Sequence, residues 1–126
     1  MKTIEQKLTL LKETAEAYTV DTRCFVPGKG CFYYKEGHQG CAIGRLVEDK
    51  ELCKRLDEKG VCESNEVSLN DIFEKLPLSL QEFGQSLLTE LQVLHDLEWH
   101  WDNNGLSKEG KEKVKYITKK VTTREL

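Results

Sequence analysis

A cysteine flanked by glycines is the first feature of this sequence that could carry chemistry. The segment Gly40–Gly44 reads Gly-Cys-Ala-Ile-Gly, and Cys41 is its second residue. Glycines let a backbone approach another group closely, and a thiol near a helix N-terminus can have a lowered pKa. A nucleophilic thiol also needs a base, and that base needs a group that orients it. His95 and Asp96 are the pair that we consider for these two roles.

The pairing of His95 with Asp96 meets a geometric objection. The apolar pattern places both residues on a helix, where adjacent residues diverge by about 100° around the axis. We therefore predict that Asp96 does not orient the ring of His95, which weakens a catalytic triad. His95 also follows Leu91 by four residues on the apolar stripe, so a histidine at the edge of the core is the simpler interpretation. A non-catalytic protein is accordingly favoured over an enzyme.

Three cysteines and a histidine raise a second chemical possibility, a zinc site. The candidate ligands Cys24, Cys31, His38 and Cys41 have the spacing Cys-x6-Cys-x6-His-x2-Cys in a region rich in turns. Structural zinc sites usually pair ligands roughly two to four residues apart, and only His38 and Cys41 do so. Cysteine is also commonly buried as a small hydrophobic residue. We therefore predict no metal and no other cofactor.

Charged residues surround two tryptophans, Trp99 and Trp101, near the end of the same predicted helix. Two tryptophans two positions apart cannot both point inward on a helix, so we expect at least one of them to be exposed. Exposed tryptophan beside charged groups is a recurrent feature of binding surfaces. The structural alternative is that the second tryptophan packs on the last helix.

Arg45 and the C-terminal segment are the candidate anion-binding groups. Arg45 could bind an anion beside exposed backbone amides, or pair with Glu48 or Asp49. Residues 107–126 hold seven bases against three acids, whereas residues 48–74 hold nine acids against four bases. Solvated helix faces explain this distribution most simply, and contact of the basic helix with a phosphate or an acidic partner is the functional alternative. The full set of binding candidates is Arg45, His95, Asp96, Trp99 and Trp101.

Apolar periodicity predicts the elements that position these residues. A capping box at residues 3–6 and an apolar stripe predict a helix over 3–18. Turn residues at 27–30 separate two runs rich in β-branched and aromatic residues, which predicts a hairpin, with a third strand at 41–44 as an option. A second capping box predicts one long helix from Ser79 to Trp101 that lies against the Cys41 segment, and Ser107 caps the last helix. We predict an α+β fold with a small antiparallel hairpin or three-stranded sheet packed on four to five helices.

Length and composition narrow the class of protein. The 126 residues fit a single domain, 1–126, and the net charge of −3 gives no uniformly basic surface. Direct binding to nucleic acid is therefore not expected. No apolar run approaches the length of about 18 residues that a membrane span needs, and the N-terminus has no hydrophobic signal region. With five cysteines and no secretion signal, we expect reduced thiols and a cytoplasmic location.

Three segments resemble a family of small proteins encoded by tailed bacteriophages, prophages and bacteria. They are Cys31–Tyr34, Gly40–Leu46 and Leu91–Asp96. Proteins of that family carry a similar Cys-Ala-(Ile/Val)-Gly segment after a short aromatic strand and a similar Leu-Gln-x-x-His-Asp segment on a later helix. The resemblance spans roughly residues 20–102. The family has no assigned activity, so the resemblance implies association of the two segments and a phage or mobile-element origin, without a catalytic assignment.

A small non-catalytic binding protein of phage origin is therefore the leading interpretation. It would act on a host protein or a defence component in the host cytoplasm, and no oligomeric state is predicted. One alternative is a sponge that sequesters a nucleotide-like host signal through Arg45, the tryptophans and basic residues of the last helix. The other alternative is a thiol- or zinc-dependent enzyme that uses Cys41 and His95.

Overall fold

Helices dominate the part of the chain that the structure describes. The computed structural model describes residues 2–20, 22, 25–26, 30–31, 42, 44–47, 51 and 73–126. Within these residues, the four α-helices are α1 (Ile4–Glu16), α2 (Leu78–Gln81), α3 (Gln85–Asp96) and α4 (Lys108–Thr122). Single turns of 3-10 helix cover Gly44–Leu46, Phe73–Lys75 and Glu98–His100.

The first helix begins at the predicted capping box. The amide of Gln6 donates to Thr3 Oγ1 at 3.1 Å, and the side chain of Gln6 accepts from the Thr3 amide at 2.8 Å. These two bonds satisfy donors that a helix N-terminus otherwise leaves unpaired. The apolar stripe of α1 places Leu10, Leu11 and Ala15 in the core, as its periodicity predicts.

Two short antiparallel ladders supply the β structure. β1 (Phe25–Val26) pairs with β2 (Gly30–Cys31), which confirms the predicted hairpin. β3 (Trp101–Asp102) pairs with β4 (Gly105–Leu106) in a second hairpin that the sequence pattern did not predict. Each sheet has two strands. The α+β class is thus confirmed in broad terms, whereas the described residues contain no three-stranded sheet.

The predicted long helix from Ser79 to Trp101 is wrong. Helix α2 begins at Leu78 after Pro77 with no side-chain cap, and Nε2 of the Gln81 side chain donates to the carbonyl of Leu76 at 2.7 Å. The helical conformation is then interrupted at Gly84, whose φ of 92° is a left-handed conformation that favours glycine. Helix α3 follows this break and ends at Asp96, because the next residue has an extended backbone.

Helix α4 closes the core from one side. It packs on α1, on α3 and on the 3-10 turn Glu98–His100. Ser107 caps it as predicted, with the Gly110 amide donating to Ser107 Oγ at 3.1 Å. The hydrophobic core is formed mainly by leucines from α1 and α3 and by apolar residues of α4, namely Leu10, Leu11, Leu87, Leu88, Leu91, Leu94, Ile117 and Val121. None of the helices in the described residues is long and apolar enough to cross a membrane.

Candidate functional site

His95 and Asp96 form a buried pair at the end of α3. Nδ1 of His95 lies 2.5 Å from Oδ1 of Asp96, and the two side chains are 0% and 3% exposed. The prediction that Asp96 could not orient His95 is therefore wrong. Nδ1 is the ring nitrogen nearer to the backbone, so a short carboxylate on the adjacent residue reaches it despite the turn of the helix. The pair stands where the leucine stripe of α3 meets the end of the helix.

An aromatic side chain packs against His95 of this pair. The Tyr18 ring meets the His95 ring edge to face, with centroids 4.7 Å apart, and it meets the Trp101 ring in the same way at 5.6 Å. Tyr18 and Trp101 are themselves buried. A carboxylate on one ring nitrogen fixes the orientation of an imidazole, which is the arrangement found behind metal-binding and catalytic histidines. The same arrangement also satisfies two buried polar groups without any chemistry.

Trp101 is not part of an exposed surface, which corrects the expected position of this binding candidate. Its side chain is 4% exposed, and Nε1 donates to the carbonyls of Leu94 at 3.0 Å and His95 at 3.1 Å. The last carbonyls of a helix have no partner within it, so the folded-back indole satisfies groups that α3 leaves unpaired. The extended backbone of Leu97 makes this fold-back possible.

Trp99, in contrast, is 62% exposed, which confirms that at least one tryptophan faces solvent. Its backbone is nevertheless fixed, because Ser107 Oγ donates to the Trp99 carbonyl. The Trp99 ring also meets the ring of buried His100, with centroids 6.2 Å apart. A large aromatic side chain is thus displayed from a backbone whose carbonyl is held by the Ser107 hydroxyl.

Arg45 is anchored to the first helix. Its Nη2 donates to Thr14 Oγ1 at 3.1 Å, and Thr14 Oγ1 donates to the Leu10 carbonyl at 2.9 Å. Within the described residues, no hydrogen bond, ion pair or ring contact joins Arg45 to Trp99 or Trp101. The structure therefore does not bring these candidates together into one site. The alternative partners Glu48 and Asp49 lie outside the described residues.

The side chains of the four candidate zinc ligands are not among those that the structure describes. Cys24, His38 and Cys41 are not among the described residues, and only the backbone of Cys31 is described, in β2. Among the residues that the structure does describe, no three His, Cys, Asp or Glu side chains come close enough to hold a metal ion.

A mixed aromatic and cationic surface on α4 was absent from the sequence-based candidates. Tyr116 is 49% exposed, and Nζ of Lys113 and Nζ of Lys120 lie 4.8 Å and 5.6 Å from its ring centroid. We define the aromatic–lysine strip as Lys113, Tyr116 and Lys120. A tyrosine between lysines three positions before and four positions after it is the sequence signal that could have found this face.

Burial lowers the pKa of His100 below its ordinary value of 6.5, and the charge of Lys113 adds to this effect, while a bond to the Leu94 carbonyl opposes it. Because the unfolded chain then binds a proton more readily than the folded protein, acid destabilises the fold. The contribution of His100 is complete above about pH 6.5 and is lost as the pH falls through its lowered folded pKa.

Urea unfolding at pH values above and below 6.5 checks the prediction that acid destabilises the fold through His100. We expect His100→Asn, whose amide can still donate to the Leu94 carbonyl, to lose part of the acid sensitivity of the parent protein. An unchanged dependence of the free energy of unfolding on pH in this variant would show that other groups cause it.

Comparison with protein-family models, curated proteins and solved structures finds no match to this chain.

Proposed function

We propose that this protein is a small non-catalytic binding protein and that Trp99 is the centre of its contact surface. The observation that carries the proposal is the 62% exposure of Trp99 on an anchored backbone. Its neighbours His100 and Trp101 are buried, so the local chain has little freedom to lose when a partner binds. Tryptophan is also enriched among the residues that dominate interface energies.

A host protein or defence component is the target class that we propose. Its support is the resemblance of the segments Cys31–Tyr34, Gly40–Leu46 and Leu91–Asp96 to phage, prophage and bacterial proteins. On this proposal the protein acts in the host cytoplasm. A nucleotide sponge is less favoured, because it needs Arg45 and both tryptophans in one site, whereas Arg45 contacts α1 and Trp101 is buried at the end of α3.

Substitution Trp99→Ala tests the proposal. The variant should remain folded, because substitutions at exposed positions usually change stability by less than about 0.5 kcal/mol. Its affinity for the partner should fall roughly 30-fold, as expected for a residue at the centre of an interface. The measurement is capture from bacterial lysate by the tagged 126-residue protein, quantified by mass spectrometry and followed by titration of the captured partner.

Leu78→Ala is the matched control, because Leu78 is also an exposed large apolar residue, at 74%, but lies on α2. The control should capture the partner as the parent protein does. Full capture by Trp99→Ala would show that this surface is the wrong one. Small molecules released on denaturation, or a salt-sensitive thermal shift with nucleotides, would favour the sponge instead.

The contact between His95 and Asp96 favours a second candidate function, thiol-dependent chemistry with Cys41 as nucleophile and His95 as base. That contact removes the geometric objection to the base and its orienting group. Ala42, the residue after Cys41, is fully buried in the core cluster that also contains Leu94, next to His95 in the chain. On this candidate, alkylation of Cys41 by iodoacetamide should slow in Asp96→Asn. Equal alkylation rates in the parent and variant proteins would exclude it.

A further inference from the structure

An asparagine followed by a glycine lies at the turn that joins β3 to β4. The chain contains four asparagines, and Asn104 is the one that a glycine follows. The register pairs Asp102 with Gly105, so Asn103 and Asn104 are the two residues of the turn, and both are exposed. Gly105 has a φ of 128°, a conformation that favours glycine. The turn itself therefore favours the glycine that follows Asn104.

The backbone of this turn is held in place, whereas the carboxamide of Asn104 is not. The Asn104 amide donates to Asp102 Oδ1 at 2.8 Å, and the Val20 amide donates to the Asp102 carbonyl at 2.9 Å. None of the residues that the structure describes makes a hydrogen bond to the Asn104 carboxamide. Because glycine has no Cβ, no side chain on the next residue obstructs the approach of this carboxamide to the Gly105 nitrogen.

We propose that Asn104 is a site of spontaneous deamidation that loosens the hairpin of β3 and β4, with solvent water as the other reactant. The Gly105 nitrogen attacks Cγ of Asn104, so a bond forms between these two atoms. The bond between Cγ and Nδ2 breaks, and Nδ2 leaves as ammonia with the proton of the Gly105 nitrogen. Water then opens the resulting succinimide ring. Attack at Cγ gives aspartate, whereas attack at the backbone carbonyl carbon gives isoaspartate, in which the backbone runs through the side chain.

Both products would disturb a hairpin that helps to complete α3. Isoaspartate adds a methylene group to the backbone before Gly105, and the register of a hairpin depends on the length of its loop. Strand β3 begins with Trp101, whose indole donates to carbonyls at the end of α3. Aspartate keeps the loop length but adds a negative charge close to Asp102, in a pocket that Glu16 also lines. The inference goes beyond the proposed binding function, because the reaction needs no partner.

Peptide mapping of the folded 126-residue protein tests the proposal. The protein is incubated in mildly alkaline buffer at physiological temperature, cleaved with trypsin and analysed by mass spectrometry that separates aspartate from isoaspartate. An unincubated sample gives the background, and a urea-unfolded sample gives the rate without the turn. We expect both products to accumulate at position 104 of the folded protein, within the tryptic peptide 76–108. Accumulation should be faster at higher pH, because the attacking nitrogen must lose its proton.

Asn104→Ser removes the reactive carboxamide, and Asn103→Ser is the matched control at the neighbouring exposed position of the same turn. Serine is common in turns, so both variants should fold, which circular dichroism establishes. The products should be lost from Asn104→Ser and persist in Asn103→Ser. Anion exchange separates the modified parent protein, which carries an extra negative charge. This fraction should melt roughly 3–6 °C below the unmodified protein, as expected for a moderate loss of stability in a domain of this length.

Three results would overturn the proposal. The first is the absence of both products at position 104 of the folded protein; if the unfolded chain reacts, the turn holds the Gly105 nitrogen away from the carboxamide. The second is isoaspartate that persists in Asn104→Ser, which would assign the reaction to a neighbouring residue. The third is a modified fraction that melts together with the unmodified protein, which would show that the hairpin is not loosened. None of these results depends on whether Trp99 contacts a partner.

Discussion

Replacing Asp96 with alanine is expected to lower the free energy of unfolding by roughly 1–3 kcal/mol, the usual cost of removing one partner of a buried hydrogen bond. The carboxylate lies 2.5 Å from Nδ1 of His95, and the His95 side chain has no exposed surface. The His95 ring would lose this contact while it stays packed against the Tyr18 ring and close to leucines of the core, where a lost hydrogen bond is costly.

Urea unfolding monitored by circular dichroism measures this loss. The control is Glu98→Ala, which removes an exposed carboxylate two residues later and should change stability by less than about 0.5 kcal/mol. If Asp96→Ala unfolds at the same urea concentration as the control, the pair contributes nothing to stability and its burial needs another explanation.

A double-mutant cycle separates the pair from the cavity that each truncation leaves. His95→Ala, Asp96→Ala and the double variant give the coupling energy directly. We expect a coupling of at least roughly 1 kcal/mol, because residues in direct contact within a buried pair do not act additively. A pair that only stabilises the fold and a pair that also activates Cys41 can be distinguished by a second measurement, on the double variant. If the double variant keeps the partner's affinity and the alkylation rate of Cys41, the pair serves the fold alone.

Two of the local signals within the described residues were predicted correctly, whereas the second capping box, at Ser79, was wrong because α2 begins at Leu78 with no side-chain cap. The capping box at Thr3 and the cap at Ser107 are local, and each appears in the structure with its expected hydrogen bond. The inner positions of α4 also follow the periodicity, since Ile117 and Val121 are fully buried. Local hydrogen bonds and helical periodicity need no knowledge of the rest of the fold, which is why the sequence predicts them.

Features that depend on tertiary contacts were not predicted. The apolar pattern continues across Gly84 although the backbone there adopts a φ of 92°, so periodicity alone joined two helices that are separate. Trp101 was among the binding candidates, whereas its buried indole satisfies carbonyls at the end of α3. The position of a side chain beyond the last turn of a helix depends on the path of the following chain, which periodicity does not encode.

The aromatic–lysine strip follows from the sequence pattern, whereas the position of Trp99 in the fold does not. Spacing on α4 alone predicts that Lys113, Tyr116 and Lys120 share a face. Only the folded structure brings the 3-10 turn Glu98–His100, which carries Trp99, against the start of α4. The position of Trp99 therefore depends on a tertiary contact and on how closely these two elements approach.

That approach requires a glycine at position 110, and Gly110→Ala is expected to lower the free energy of unfolding by roughly 2–3 kcal/mol. A Cβ at this position would lie 2.1 Å from the His100 carbonyl oxygen and 2.9 Å from Cδ2 of Leu106. The carbonyl cannot simply move away, because it accepts a hydrogen bond from the Ser107 amide at 2.8 Å. Alanine would otherwise favour the helix by about 1 kcal/mol, so the collision must outweigh that gain.

Lys111→Ala, which introduces the same residue at the next position of α4, an exposed one, separates helix propensity from collision. It should leave stability within about 0.5 kcal/mol of the parent protein or raise it slightly. Because the displaced 3-10 turn also carries Trp99, Gly110→Ala should weaken partner capture although Trp99 itself is unchanged. If Gly110→Ala proved as stable as Lys111→Ala and captured the partner fully, the close contact between the turn and α4 could not be what holds Trp99 in place. The anchored display of this tryptophan would then have to come from the Ser107 hydrogen bond alone.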